Sequence, residues 1–329
     1  MTAVIIAFTD RGLALAGRLA EITRGTALRC GSGELAGVTE SAFSRADAVI
    51  FVGAAGIAVR AIAPFVVNKA SDPAVLVADE AGSYVIPILS GHLGGANELA
   101  RTIASRIGAE AVITTATDIN GVFAVDVWAK AQQCAIPNPE RIKAVSAKLL
   151  SGGTVGYFSE FPIRGKLPAG VEPKDDAGCD FALAIHETDH ECLRCVPGIV
   201  VLGIGCKKGT SEQRLETRLR QFIKGNRLHE SAIKSVCTID IKKDEPGLLE
   251  LCKNHGWKLE TFTADELRRA TGEFSDSEFV AEKVGVGNVC ERSAVLGSGG
   301  SLIIKKDAGD GVTIAAAVCR YNPEWDVIT

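Results

Sequence analysis

A chain of 329 residues is too long for one small core and suits two or three domains of roughly 100–150 residues each. Its net charge of −4, with no long Lys or Arg run, argues against a nucleic-acid partner, which needs a basic stripe. The most apolar stretch, Ala48 to Val67, carries Arg60 and Pro64 and so does not read as a membrane span of about 20 apolar residues. Three Trp, three Tyr and one Met leave the core to Ala, Val, Ile and Leu. The start, MTAVIIAFTDRG, shows neither a charged leader nor a small-residue cleavage site. Ten cysteines scattered from Cys30 to Cys319 without a framework spacing read as reduced, mostly buried thiols, and the expected compartment is the cytoplasm.

The first 130 residues alternate β-rich runs with amphipathic helices, the pattern of parallel α/β packing. Strands are expected at Ala3–Phe8, Ala48–Val52, Ala74–Ala78, Tyr84–Leu89 and Ala111–Thr115, with Thr9–Asp10 capping the first helix. Pro64 ends the helix after Gly53. Leu99, Ala100, Ile103, Ala104 and Ile107 recur with helical spacing, and Gly108 stops that helix. From Cys134 to Pro197 Gly and Pro punctuate the chain, which reads as a small middle domain or long connector. The pattern restarts with a strand at Val200–Ile204. A Thr210/Gln213 capping box then opens a helix with the apolar face Leu215, Leu219, Phe222 and Ile223. Thr263 with Glu266, Ser275 with Glu278 and Asn288 with Glu291 repeat the capping signature, and Ser301–Lys305 and Val312–Val318 close the chain as strands. The fold class is α/β, with N-terminal (1–130) and C-terminal (199–329) α/β domains joined by a smaller middle segment (131–198).

Ser90-Gly91-His92-Leu93-Gly94-Gly95-Ala96-Asn97-Glu98 lies between a strand and a helix, where an α/β sheet presents its crevice. Its glycines allow either close ligand approach or a tight turn, and the helix start offers N–H groups to an anion. At a helix N-terminus His92 is expected to stay neutral, available as a base or simply bonded within its turn. Gly53-Ala-Ala-Gly56 with Arg60 is a second such turn, and Arg60 must snorkel, meet a ligand or pair with Asp79 or Glu80. Asp118, at a third strand exit, is an acid–base candidate or a helix cap. In Gly203-Ile-Gly205-Cys206-Lys207-Lys208-Gly209 the lysines can hold an anion and lower the Cys206 pKa toward a nucleophile, against the commoner buried thiol. The run His186 to Cys195 is too cramped for four tetrahedral zinc ligands and reads as a charged turn into a strand, so no metal site is assigned.

Residues 53–129 resemble the N-terminal domain of the cobalt-precorrin-5A hydrolase (CbiG) family almost without interruption. Residues 203–211 (GIGCKKGTS), 238–252, 259–267 and 284–306 (VGVGNVCERSAVLGSGGSLIIKK) resemble its C-terminal domain. Lys207–Lys208 stand where an Arg pair is expected, and Cys290 where Ala is expected.

The resemblance implies a hydrolase of anaerobic cobalamin biosynthesis. It would open the lactone of cobalt-precorrin-5A with water and release acetaldehyde, giving ring-contracted cobalt-precorrin-5B. No cofactor is implied, since the cobalt arrives with the substrate. His92 would be the general base, with Asp118 or Glu98 orienting it or shuttling its proton. Gly53, Gly56, Arg60, Gly91, Gly94, Gly95, Asn97, Thr115, Gly205, Cys206, Lys207 and Lys208 would bind the macrocycle and its carboxylates, in a cleft between the N- and C-terminal domains. The expected partners are the cobalt tetrapyrrole and, transiently, neighbouring pathway enzymes. A non-catalytic corrinoid carrier is the main rival. A nucleotide-binding enzyme is disfavoured by the absence of a phosphate loop or dinucleotide fingerprint.

Overall fold

In the computed structural model the described residues are 2–67, 72–92, 94–188 and 190–326. The chain divides into two compact units, one made mostly of the residues up to Val127, the other of Trp128–Lys148 with the residues from Gly153 onward.

The first unit is built on β1 (Ala3–Ala7), β2 (Thr26–Arg29), β3 (Ala48–Val52), β4 (Ala74–Ala78), β5 (Tyr84–Leu89) and β6 (Glu110–Ala111), in the order β2-β1-β3-β4-β5-β6. Because β3 and β4 are buried along their whole length, they read as unbroken apolar runs. Alternate residues face opposite layers. Ile5, Ile50 and Leu76 pack with Leu15 and Leu19 of α1 (Asp10–Thr23), while Ile6, Val49 and Phe51 pack toward α2 (Leu35–Arg45) and α3 (Ala55–Ile62). Thr9 caps α1 as expected, its Oγ1 accepting from Gly12 N.

One strand runs against expectation. β4 and β5 pair antiparallel, with Ala78 opposite Val85 and Val75 opposite Leu89, whereas β1 with β2, β1 with β3 and β3 with β4 are parallel. The connection Asp79–Ser83 is too short for a parallel crossover, which needs a dozen residues or more. Asp79 fixes the reversal, accepting from Ala81 N, Ser83 N and Tyr84 N. A helix, α4 (Ala96–Ile107), then returns the chain so that β6 lies parallel to β5. The strand expected at Ala111–Thr115 is only Glu110–Ala111, because the chain leaves the sheet edge for α5 (Ala116–Ile119) and α6 (Val125–Ala131).

In the second unit the weakly patterned middle segment forms its own sheet. Its strands are β7 (Cys134–Ala135), β8 (Val155–Ser159), β9 (Val171–Pro173), β10 (Phe181–Leu183) and β11 (Leu193–Pro197), in the order β7-β11-β10-β8-β9, with α7 (Ile142–Leu150) in the connection. Such short strands leave little periodicity to read. The last sheet, β14-β13-β12-β16-β15, combines β12 (Val200–Cys206), β13 (Ile233–Ile239), β14 (Lys258–Phe262), β15 (Ser301–Gly309) and β16 (Val312–Val318). Its β12–β13–β14 part is parallel and its β12–β16–β15 part antiparallel. Leu215, Leu219 and Phe222 of α8 (Glu212–Gly225) and Leu248 and Leu251 of α9 (Pro246–His255) fill its main core. Two short helices, α10 (Ala264–Arg269) and α11 (Glu278–Val284), precede α12 (Cys290–Ser298). α12 lies hard on the sheet: a Cβ at Gly203 would fall 1.7 Å from Cys290 O, and one at Gly297 2.2 Å from Cys237 Sγ.

The caps divide. Thr263 and Glu266 form a complete capping box, and Asn288 Oδ1 accepts from Glu291 N. Thr210 does not cap α8: its hydroxyl donates to Lys207 O to close a turn, and Ser211 takes the cap position. Nor does Ser275 cap α11. Its N–H is drawn to the buried carboxylate of Glu291, and Ser277 precedes the helix. Seven of the ten cysteines are buried and three half-buried. Among the described residues no helix is long and apolar enough to cross a membrane.

Candidate functional site

The segment after β5 wraps the start of α4. Ala96 N donates to Ser90 O and Asn97 N to Gly91 O, so two of the helix's first N–H groups are taken by the loop's own carbonyls rather than left for an anion. Here the glycines serve packing: a Cβ at Gly94 would fall 2.3 Å from Ser90 Cβ, and one at Gly91 2.8 Å from Asn97 Oδ1. Gly95 takes a φ of 83°, the left-handed conformation that favours glycine. Leu93 lies outside the described residues.

This wrapping delivers His92 to a half-buried cluster. Its Nε2 lies 2.8 Å from Asp118 Oδ2 and 3.2 Å from Thr117 Oγ1, and its Nδ1 lies 3.3 Å from Asp126 Oδ2. Asn97 and Arg101, one turn apart on α4, both reach Asp118. Asn97 Nδ2 donates to Asp118 Oδ2 at 3.0 Å and to Thr115 Oγ1 at 2.8 Å, and Arg101 Nη2 donates to Asp118 Oδ1 at 2.5 Å. Asp118 is therefore neither a helix cap nor free. It is the hub of the cluster.

The electrostatics reverse the expectation of a neutral histidine. Asp126 foremost, with help from Asp118 and against the cost of burial, raises the His92 pKa above its ordinary value. The loop's occupation of the α4 N–H groups, together with two adjacent carboxylates, outweighs any repulsion from the helix start. Burial alone would raise Asp118, but hydrogen bonds from Arg101 and His92 hold its carboxyl below the usual range. The cluster pairs an imidazole that favours its charged form with two acids, and such a ring can give a proton as well as take one.

The other expected site residues separate from this one. Glu98 is exposed on α4, and its carboxylate makes no hydrogen bond to the ring among the described residues. Gly53, Gly56 and Arg60 follow β3, while His92 follows the reversed β5 whose Leu89 sits beside Val75 at the start of β4. The two turns thus leave opposite ends of the strands, five strand residues or roughly 16 Å apart along the strand direction. A Cβ at Gly53 would meet the Phe8 ring, whereas Gly56 would meet only the end of Arg60, at 3.9 Å. Arg60 is exposed and pairs with neither Asp79 nor Glu80, since Asp79 is spent on its turn and Glu80 Oε1 accepts from Thr9.

In the second unit Gly205 makes room for Thr313, and the Gly209 N–H donates to Glu245 Oε1, so an internal carboxylate fills the place foreseen for a ligand's. Burial, opposed by Lys242, raises the Cys206 thiol rather than lowering it, which favours the commoner structural thiol over the activated nucleophile. Lys207 and Lys208 remain exposed, without ion-pair partners among the described residues. His186 bonds to Glu160 through Nδ1.

Asp126, Arg101 and Thr117 were not anticipated from the sequence. Asp126 carried a signal: it is the one acid within the apolar run Val122-Phe-Ala-Val-Asp-Val-Trp-Ala129, where a charge must be paired to be buried.

Comparison with known proteins bears on most of the chain. Residues 37–118 match the family described as cobalamin synthesis G N-terminal, 123–191 the cobalamin biosynthesis central region, and 200–317 the cobalamin synthesis G C-terminus. The cobalt-precorrin-5A hydrolase of Salmonella typhimurium is 38% identical over 303 residues, covering 88% of this chain and 86% of that protein. The protein of that name from Priestia megaterium is 31% identical over 314 residues, covering 88% and 83%. The chain belongs to the cobalt-precorrin-5A hydrolase (CbiG) family.

Proposed function

We propose that the chain is a cobalt-precorrin-5A hydrolase that opens the substrate's lactone with water and releases acetaldehyde to leave cobalt-precorrin-5B. The observation that carries this reading is the similarity to curated hydrolases along most of the chain, at up to 38% identity. His92 and Asp118 both fall within the N-terminal family match.

In this reading His92 is the general base. It takes a proton from the water that attacks the lactone carbonyl and returns it to the departing alkoxide, which leaves an alcohol, a free carboxyl arm that ionises to solvent, and a neutral ring. It then takes the alcohol proton, the adjacent carbon–carbon bond breaks, the electron pair passes into the macrocycle and acetaldehyde leaves. A raised pKa makes the neutral imidazole a stronger base, though a smaller share of it is neutral at pH 7. Asp118 bonds the working ring and offers it a place to pass the proton; the exposed Glu98 does not share that role. Arg60, Lys207 and Lys208 are exposed cations suited to the substrate's peripheral carboxylates. No protein metal or organic cofactor enters the scheme, and the cobalt is part of the substrate. The setting is the cytoplasm, with transient contacts to neighbouring pathway enzymes.

The test is anaerobic incubation of purified protein with cobalt-precorrin-5A, trapping acetaldehyde and following the corrinoid's mass. Acetaldehyde in step with ring contraction is expected, with turnover lowered about 10²–10⁴-fold in His92→Asn. Bound corrinoid without acetaldehyde would instead indicate a carrier, and undiminished turnover by His92→Asn would remove it as the base.

A further inference from the structure

We propose that Asp126 is the positioning residue of the reaction: it holds His92 through Nδ1, so that Nε2 is the nitrogen that leaves Asp118 to meet the substrate. This rests on the hydrolase reading of the site and adds to it which ring nitrogen works and what fixes the ring.

Both ring nitrogens face a carboxylate, and one contact must open before His92 can touch a substrate. The two acids differ in what they would lose. Asp118 has two further donors, Arg101 on Oδ1 and Asn97 on Oδ2, and keeps both when Nε2 departs. Asp126 has His92 Nδ1 as its one ion-pair partner among the described residues, and its side chain is only 8% exposed. Parting that contact would strand a buried carboxylate, which is the costlier event. Thr117 Oγ1, 3.2 Å from Nε2, gives the working nitrogen a second polar neighbour as it leaves Asp118.

The supporting elements differ in the same sense. Asp126, on α6, is itself buried and directly follows the wholly buried Val125. Asp118 sits on the single turn α5, beside Ile119 at 67% exposure. An orienting group belongs on the fixed element and an exchangeable one on the other. The charged groups around the ring are Asp118 from α5, Asp126 from α6 and, through Asp118, Arg101 from α4; Asn97 and Thr117 are neutral.

The experiment uses full-length protein labelled with ¹⁵N-histidine, followed by NMR through its ring titration, beside the pH profile of acetaldehyde release. In the wild type, at pH above the titration, the neutral ring should carry its proton on Nδ1. Finding it on Nε2 overturns the proposal without any variant. In Asp126→Asn the His92 titration and the acid limb of kcat/KM should move down together, with kcat lower by at least about tenfold and KM little changed. Asp126→Glu should recover part of the rate. A folded Asp126→Asn enzyme with the wild-type rate, profile and ring tautomer, while His92→Asn is inactive, overturns this inference and leaves the base reading intact. Undiminished turnover by His92→Asn overturns the base reading itself, and this role of Asp126 with it.

Discussion

Gly94→Ala tests whether the loop after β5 is built to present His92. A Cβ at this position would lie 2.3 Å from Ser90 Cβ and 2.7 Å from Ser90 O, about 1 Å inside ordinary contact. Neither partner can yield cheaply. Ser90 O accepts from Ala96 N, Ser90 Oγ donates to Asp72 O, and Ser90 already holds a φ of 56°. Relief must come from the loop, whose displacement by about 1 Å breaks the 2.8 Å contact of His92 with Asp118. Overpacking of this kind costs about 1–3 kcal/mol. A melting point lower by roughly 4–12 °C is therefore expected for the transition of the first unit. Misplacement of a reacting group by about 1 Å costs about 10²-fold in rate. The assays are thermal unfolding by circular dichroism and acetaldehyde release under saturating substrate. Gly17→Ala is the control, because its Cβ meets nothing within 4 Å in α1, and it should stabilise by about 0.5–1 kcal/mol without changing turnover. Gly94→Ala with wild-type melting and turnover would refute the packing argument.

Stability should depend on pH through the same cluster. His92, raised in the fold, contributes stability that is full below its unfolded value of about 6.5 and lost as pH rises through its higher folded value. Asp118, lowered in the fold, contributes stability that is full above about 3.9 and lost as pH falls through its folded value. The melting-point difference between wild type and His92→Asn should thus be largest near pH 5–6 and shrink above neutrality, and a difference growing toward pH 9 would contradict the assignment. Cys206→Ser should keep turnover within about twofold, because a half-buried thiol with a raised pKa supplies little thiolate; loss of activity together with rapid alkylation of the native thiol at pH 7 would reverse that conclusion. Glu291 is fully buried and accepts from Ser275 N, Asn288 Nδ2 and Lys306 N. Glu291→Gln sets an amide donor against those donors and should cost about 1–3 kcal/mol by urea unfolding, whereas an unchanged midpoint would mean the network is dispensable.

The sequence by itself determined whatever a few neighbouring residues decide. Ala48–Val52 and Ala74–Ala78 are strands because short, β-branched apolar runs between turns have no other buried solution, and Thr9 and Thr263 cap helices with groups three residues away. It also singled out His92 and Asp118, which the fold brings into contact, and its long motif sets carried the family resemblance. The tertiary structure decided what depends on distant partners. It reversed β5, and so placed the Gly53 turn and the His92 loop at opposite strand ends of one sheet. Gly209 and Ser275 gave up their N–H groups to carboxylates 36 and 16 residues away. Above all it set Asp126 beside a histidine 34 positions earlier, raising a ring that local electrostatics would have kept neutral. A buried charge takes its pKa from whichever groups the fold brings within a few ångströms, and spacing along the chain does not record those neighbours.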